Sequence, residues 1–121
     1  MRALIVDDSR SMRSILRRMV AGLGFAEIAE AEHGADALVQ VDEYRPELVL
    51  VDWNMPVMGG QEFITELRKQ RAYDRIKVLV VTSEASPRIV IDALKAGADE
   101  YAMKPVTQDV IGDKLALMGL A

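Results

Sequence analysis

Residues 48–52 read Leu48-Val49-Leu50-Val51-Asp52: an unbroken apolar run closed by a carboxylate. A strand with one wet face alternates apolar and polar residues. A continuously apolar run implies that helices cover both faces, as in a parallel sheet. Ala3-Leu4-Ile5-Val6, closed by Asp7-Asp8, has the same form, and so does Val78-Leu79-Val80-Val81, closed by Thr82-Ser83. Two further runs differ. Glu27–Ala31 alternates, and Tyr101–Met103 is short and mixed. Both suit the edges of a sheet, where one face or one side stays wet.

Between these runs lie segments of helical period, near Arg10–Leu23, Ala35–Tyr44, Gln61–Arg71, Pro87–Ala96 and Gln108–Met118. In the first, Met12, Ile15, Leu16, Met19, Val20 and Leu23 mark one buried face, which leaves Arg13, Arg17 and Arg18 on the wet side. Gly22 and Gly24 supply its stop signals. Ser86 before Pro87 reads as an N-cap with proline in the first turn, Gly97 as the close of that helix, and Thr107 as the cap of the last. Strict alternation of strand and helix predicts an α/β fold: a doubly wound, five-stranded parallel sheet with right-handed crossovers. With the second and fifth strands at the edges the order is 2-1-3-4-5, that of the flavodoxin-like open sheets.

The chain has 121 residues, 50% of them hydrophobic and 28% charged, with net charge −4 and no cysteine. This length and composition suit one domain, expected to span residues 1–121. Thiol chemistry is excluded, and the acidic balance gives no basic surface for nucleic acid. The first apolar run is too short for a signal peptide, and none approaches the roughly 18 residues of a membrane span. A soluble cytoplasmic protein is the expectation.

In an open α/β sheet, ligands bind beyond the carboxyl ends of the strands, where the strand order reverses. Here that point lies between the first and third strands. It gathers Asp7, Asp8 and Asp52, with Thr82-Ser83 and Lys104-Pro105 on the adjoining strand ends. Crowded carboxylates raise one another's pKa, and a hard divalent cation relieves the conflict. Oxygen-only donors suit Mg²⁺, Ca²⁺ or Mn²⁺, and Mg²⁺ favours one or two carboxylates, several waters and a phosphate oxygen. The chain has neither an EF-hand loop nor a glycine-rich P-loop. The simplest chemistry left is one phosphoryl group moved onto a carboxylate, with metal and lysine neutralising the developing charge.

The acidic pair Asp7-Asp8, the segment Val51-Asp52-Trp53-Asn54-Met55-Pro56, Thr82 and Lys104-Pro105, in that order, resemble the receiver domain family of two-component response regulators. Asp8-Ser9-Arg10 and Gly97-Ala98 fit as well. Trp53, Asn54, Glu84 and Tyr101 are similar to the stand-alone chemotaxis members of that family. The resemblance covers essentially the whole chain and implies a role for each position. Asp52 would accept the phosphoryl group from a phosphohistidine on a sensor histidine kinase or phosphotransfer protein. Asp8, Asp52 and the Asn54 carbonyl would hold Mg²⁺, with Asp7 acting through water. Lys104 would contact the phosphate from a cis Lys104–Pro105 bond. Thr82 would turn its hydroxyl to the phosphate and Tyr101 would move inward behind it, while Asn54 and Glu84 tune hydrolysis. Such a protein is a phosphoacceptor in signalling rather than an enzyme with a separate substrate. Its output would be a monomer's contact with a downstream protein through the fourth helix, fifth strand and fifth helix.

Three positions depart from the family's usual pattern. Met58-Gly59-Gly60 would loosen the loop after Asp52, Ser83 would narrow phosphate access, and Val106 stands where chemotaxis members carry an aromatic residue. His33 reads as a solvated loop residue. Two other readings stay open: a receiver cut from a longer transcriptional regulator, and a phosphate-independent interaction module. A metal-dependent phosphatase would want an acid where Asn54 stands, and a flavodoxin-like cofactor carrier would want a phosphate-binding Ser/Thr/Gly loop after the first strand, where Asp7-Asp8 would repel such a ligand.

Overall fold

The computed structural model describes residues 1–84 and 86–120. Along them strands and α-helices alternate: β1 (Arg2–Val6), α1 (Arg10–Gly22), β2 (Glu27–Ala31), α2 (Gly34–Tyr44), β3 (Leu48–Val51), α3 (Gly60–Arg68), β4 (Lys77–Thr82), α4 (Pro87–Ala96), β5 (Glu100–Met103) and α5 (Gln108–Leu117). All strand pairings are parallel, in the order β2-β1-β3-β4-β5.

The apolar run of β3 is explained by its two faces. Val49 and Val51 pack with Ala37 and Val41 of α2 and Phe63, Ile64 and Leu67 of α3. Leu48 and Leu50 point the other way, against Leu16 and Val20 of α1 and Ile111 and Leu115 of α5. All four β3 side chains are fully buried. Each contributes roughly 1.5–3 kcal/mol relative to an exposed position. That burial fixes the register, because a one-residue slip would exchange the two cores.

Local signals set the helix ends. The Ser9, Ser86 and Thr107 side chains each accept an N–H from the first turn of α1, α4 and α5. Gly97 closes α4 at φ 118, a left-handed conformation that glycine adopts without a Cβ penalty. His33 differs from its expected solvated role. It is half-buried and caps α2, its Nδ1 accepting the Asp36 N–H. Helix α3 stops at Arg68, short of Arg71, and Arg71–Tyr73 form a separate 3-10 turn. Tyr73 is buried there with its hydroxyl donating to Asp42.

On α1 the expected faces are partly exchanged. Ile15 is 42% exposed, whereas Arg13 is only 8% exposed. Position 13 lies three residues before Leu16 and seven before Val20, both buried, so it falls on the apolar stripe itself. The guanidinium tolerates burial because it is paired with Glu30 of β2.

Arg68 closes the opposite side of the sheet. It donates to the carbonyls of Gly97, Tyr73 and Ile76 and to the Asp99 carboxylate. Arg68→Ala strands several acceptors in a half-buried place. We expect it to lower unfolding stability by about 1–3 kcal/mol, read as a lower urea midpoint with unchanged slope.

Candidate functional site

The register places the site. Val6 pairs with Val51 and Val51 with Val80, so β1, β3 and β4 end side by side. The chain leaves β1 at Asp7 and β3 at Asp52. The Asp52 N–H continues the ladder to the Val6 carbonyl at 3.0 Å, and the Asp7 N–H reaches Ala31 at 3.1 Å. Carboxylate oxygens of Asp7, Asp8 and Asp52 consequently lie within 4.8 Å of one another. Asp7 is buried, Asp52 half-buried and Asp8 exposed, so the cluster meets solvent on the Asp8 side.

Neither acid of the pair caps α1, since Ser9 does. Asp7 instead accepts the Ser9 N–H on Oδ1 at 2.9 Å and the Lys104 ammonium on Oδ2 at 2.9 Å. Lys104 arrives from β5. Thr82, now the last residue of β4, pairs with Met103, and the Lys104 N–H donates to the Thr82 carbonyl. The Lys104–Pro105 bond is cis, as the resemblance implied. Lys104 Nζ stands 3.4 Å from Asp52, so one ammonium bridges the two inner carboxylates.

Burial is the largest influence on Asp52 and pushes its carboxyl above the ordinary value. Asp7's charge adds to this, while Lys104 and the Trp53 N–H pull back. Burial alone would lower Lys104; its hydrogen bond to Asp7 and the charges of Asp52 and Asp7 together outweigh that and raise it. The crevice thus holds the charges of three acids against one ammonium and carries a negative excess. Its donor set is carboxylate oxygen throughout, with one side open to the waters that Mg²⁺ retains. A small hard dication fits it.

The rim carries the other expected residues. Thr82 is buried, its hydroxyl accepting the Glu84 N–H at 3.2 Å. Asn54 and Glu84 are exposed and bonded to each other through Nδ2 and Oε1. Ser83 is exposed. Tyr101 is half-buried, with Lys114 Nζ 5.0 Å from its ring centre; Lys114 also pairs with Glu100. Val106 is buried in the core beside α1 and α5.

The loop after Asp52 is held more firmly than its glycines suggested. Met58 accepts the Gly34 N–H and donates to Pro56, and the Gly60 N–H donates to Trp53. Gly59 and Gly60 serve a close approach rather than slack. A Cβ on Gly60 would meet the Asp52 carbonyl oxygen at 2.5 Å.

Residues 3–116 match the family model described as the response regulator receiver domain. The chain is 38% identical over 119 residues to the chemotaxis protein CheY1 of Helicobacter pylori, covering 98% of this chain and 96% of that one. It is 40% identical over 116 residues to a chemotaxis protein CheY homolog of Campylobacter jejuni, covering 95% and 89%. Among solved structures it superposes on the Vibrio cholerae chemotaxis protein CheY4 with a TM-score of 0.88, at 31% identity and 95% coverage of each chain. A match of this extent, on a fold that puts the acidic crevice at the switch point of the sheet, leaves one assignment: this chain belongs to the response regulator receiver domain family.

Proposed function

We propose that residues 1–121 act as one stand-alone receiver unit. In this reading the protein is a monomeric cytoplasmic phosphoacceptor that takes a phosphoryl group from a phosphohistidine of a sensor kinase or phosphotransfer protein onto Asp52. The observation that carries it is the convergence of Asp7, Asp8 and Asp52 within 4.8 Å, with Lys104 among them. Asp8, Asp52 and the Asn54 carbonyl would hold Mg²⁺, with Asp7 behind them. When bound, the ion supplies positive charge against the equatorial phosphoryl oxygens.

The residues then divide the work. An Asp52 oxygen bonds to phosphorus as the bond from phosphorus to the donor imidazole breaks, and the electron pair stays on that nitrogen. Lys104, held by Asp7, balances the charge that develops on the phosphoryl oxygens. Asn54 and Glu84, linked across the mouth, limit the approach of water to the acyl phosphate. Thr82 exchanges its bond with the Glu84 N–H for one to a phosphoryl oxygen, and the space it vacates admits Tyr101.

The readout is the face of α4, β5 and α5. Ile91, Leu94, Met103 and Val110 expose 40–49% of their surfaces there, apolar area suited to a downstream protein. Among the described residues no helix is long and apolar enough to cross a membrane.

Incubation with acetyl phosphate followed by intact-mass measurement tests the proposal. One added phosphoryl group is expected with Mg²⁺ and none with EDTA. A folded chain that binds Mg²⁺ yet takes no phosphoryl group, even with a stable fluoride mimic as probe, would be a phosphate-independent interaction module instead.

A further inference from the structure

Arg13 is buried, yet the chemistry above does not use it. Its Nε donates to Glu30 at 2.9 Å, and its Nη1 donates to the main-chain carbonyl of Asp7 at 2.7 Å. Glu30 is held from its other side by Arg17 at 2.7 Å. A chain of contacts therefore runs from β2 through α1 to the peptide that joins Asp7 to Asp8. The first bond alone would staple α1 to β2. The second does something else, because it fixes the plane of the Asp7–Asp8 peptide.

The two acids differ in what holds them. The Asp7 side chain is locked by Ser9 and Lys104. The Asp8 side chain is exposed, and its direction depends on the backbone that carries it. We infer that Arg13 is a positioning residue for the metal site: by clamping the Asp7 carbonyl it aims the Asp8 carboxylate into the cluster. This rests on the reading of Asp7, Asp8 and Asp52 as the Mg²⁺ site.

Charge and position give opposite signs, which makes the inference testable. A guanidinium beside a dication site repels the ion, so its removal should tighten Mg²⁺ binding if charge alone matters. If Arg13 aims Asp8, removal should weaken binding, by about tenfold or more as for lost outer-shell partners of metal ligands. The probe is Mg²⁺ itself, titrated against emission of Trp53, the single tryptophan, whose main-chain N–H donates to Asp52. Metal-free melting curves run in parallel.

Arg13→Gln is expected to weaken Mg²⁺ binding about tenfold. Arg13→Lys keeps the charge but cannot make both contacts, and is expected to weaken it severalfold. Arg17→Gln removes a cation from the same Glu30 without touching the peptide, and should leave affinity within about twofold. Should Arg13→Gln not fold, Arg13→Met, with a stem that fills the same space, takes its place. Unchanged or tighter binding in the Arg13 variants, or an equal loss in Arg17→Gln, overturns the inference while the site reading stands. A wild-type chain that binds no Mg²⁺ overturns both.

Discussion

Replacing Asp52 by asparagine is expected to abolish the Mg²⁺-dependent phosphoryl adduct. The carboxamide keeps the size of the side chain but offers a neutral oxygen in place of an anionic nucleophile. Loss of the nucleophile in a covalent transfer costs on the order of a thousandfold or more. Asp7 does not replace it: that carboxylate is buried and already bonded to Ser9 and Lys104. Asp8 is the exposed alternative, and an adduct that moves to Asp8 in Asp52→Asn would place the acceptor in the wrong strand end. Intact mass and peptide mapping separate these results.

The same substitution should make the metal-free protein more stable. In the unfolded chain Asp52 titrates at its ordinary value of 3.8, and in the folded chain burial and Asp7 place it higher. Between those two values the folded state keeps a proton that the unfolded state has released. Stability therefore falls as pH rises through that window, and above it the folded chain carries the full cost of the ionised group. Asp52→Asn removes that fall and leaves Lys104 paired with Asp7 at 2.9 Å. In EDTA at neutral pH we expect its melting temperature to rise by a few degrees, a gain that vanishes on acidification below the window. An equal gain at every pH would show that ionisation of Asp52 is not the cause.

Much of this was legible from strand composition. The apolar run Leu48–Val51 needs two covered faces, and two covered faces need a parallel sheet. Once β2 and β5 are at the edges, the switch point and the acids that meet there follow. Each cap at Ser9, Ser86 and Thr107 is a local matter, and so is readable locally. What resisted reading depends on tertiary partners. Arg13 sits on the apolar stripe by spacing, but only the presence of Glu30 on β2 makes its burial tolerable, and that pairing spans two elements. The ion pair of Lys104 with Asp7 was not foreseen either, because only the register of β4 and β5 brings that ammonium to the end of β1. The firmness of the loop after Asp52 was hidden for a related reason. Glycine in a sequence signals either freedom or close contact, and the neighbour decides which.

Gly60→Ala settles which applies in that loop. The added methyl would stand 2.5 Å from the Asp52 carbonyl oxygen and 3.0 Å from the Trp53 Cα. Both neighbours are backbone, so the methyl is accommodated only by moving the segment that carries the phosphoacceptor. We expect a loss of about 2–3 kcal/mol in unfolding stability, the upper range for overpacking. We also expect phosphorylation by acetyl phosphate to slow by about tenfold to a hundredfold, because displacements of about an ångström are costly to a positioned nucleophile. Gly112→Ala is the same chemical change in a different place. It lies inside α5, where the new methyl would meet only the Leu23 Cδ2 at 3.3 Å, a side-chain atom able to yield. There the helix gains up to about 1 kcal/mol from the better helix former, and phosphorylation should not change. Opposite signs at the two glycines would show that Gly60 is held by contact with the Asp52 backbone. Equal tolerance at both would mean that the loop can move away and that its glycines supply freedom after all.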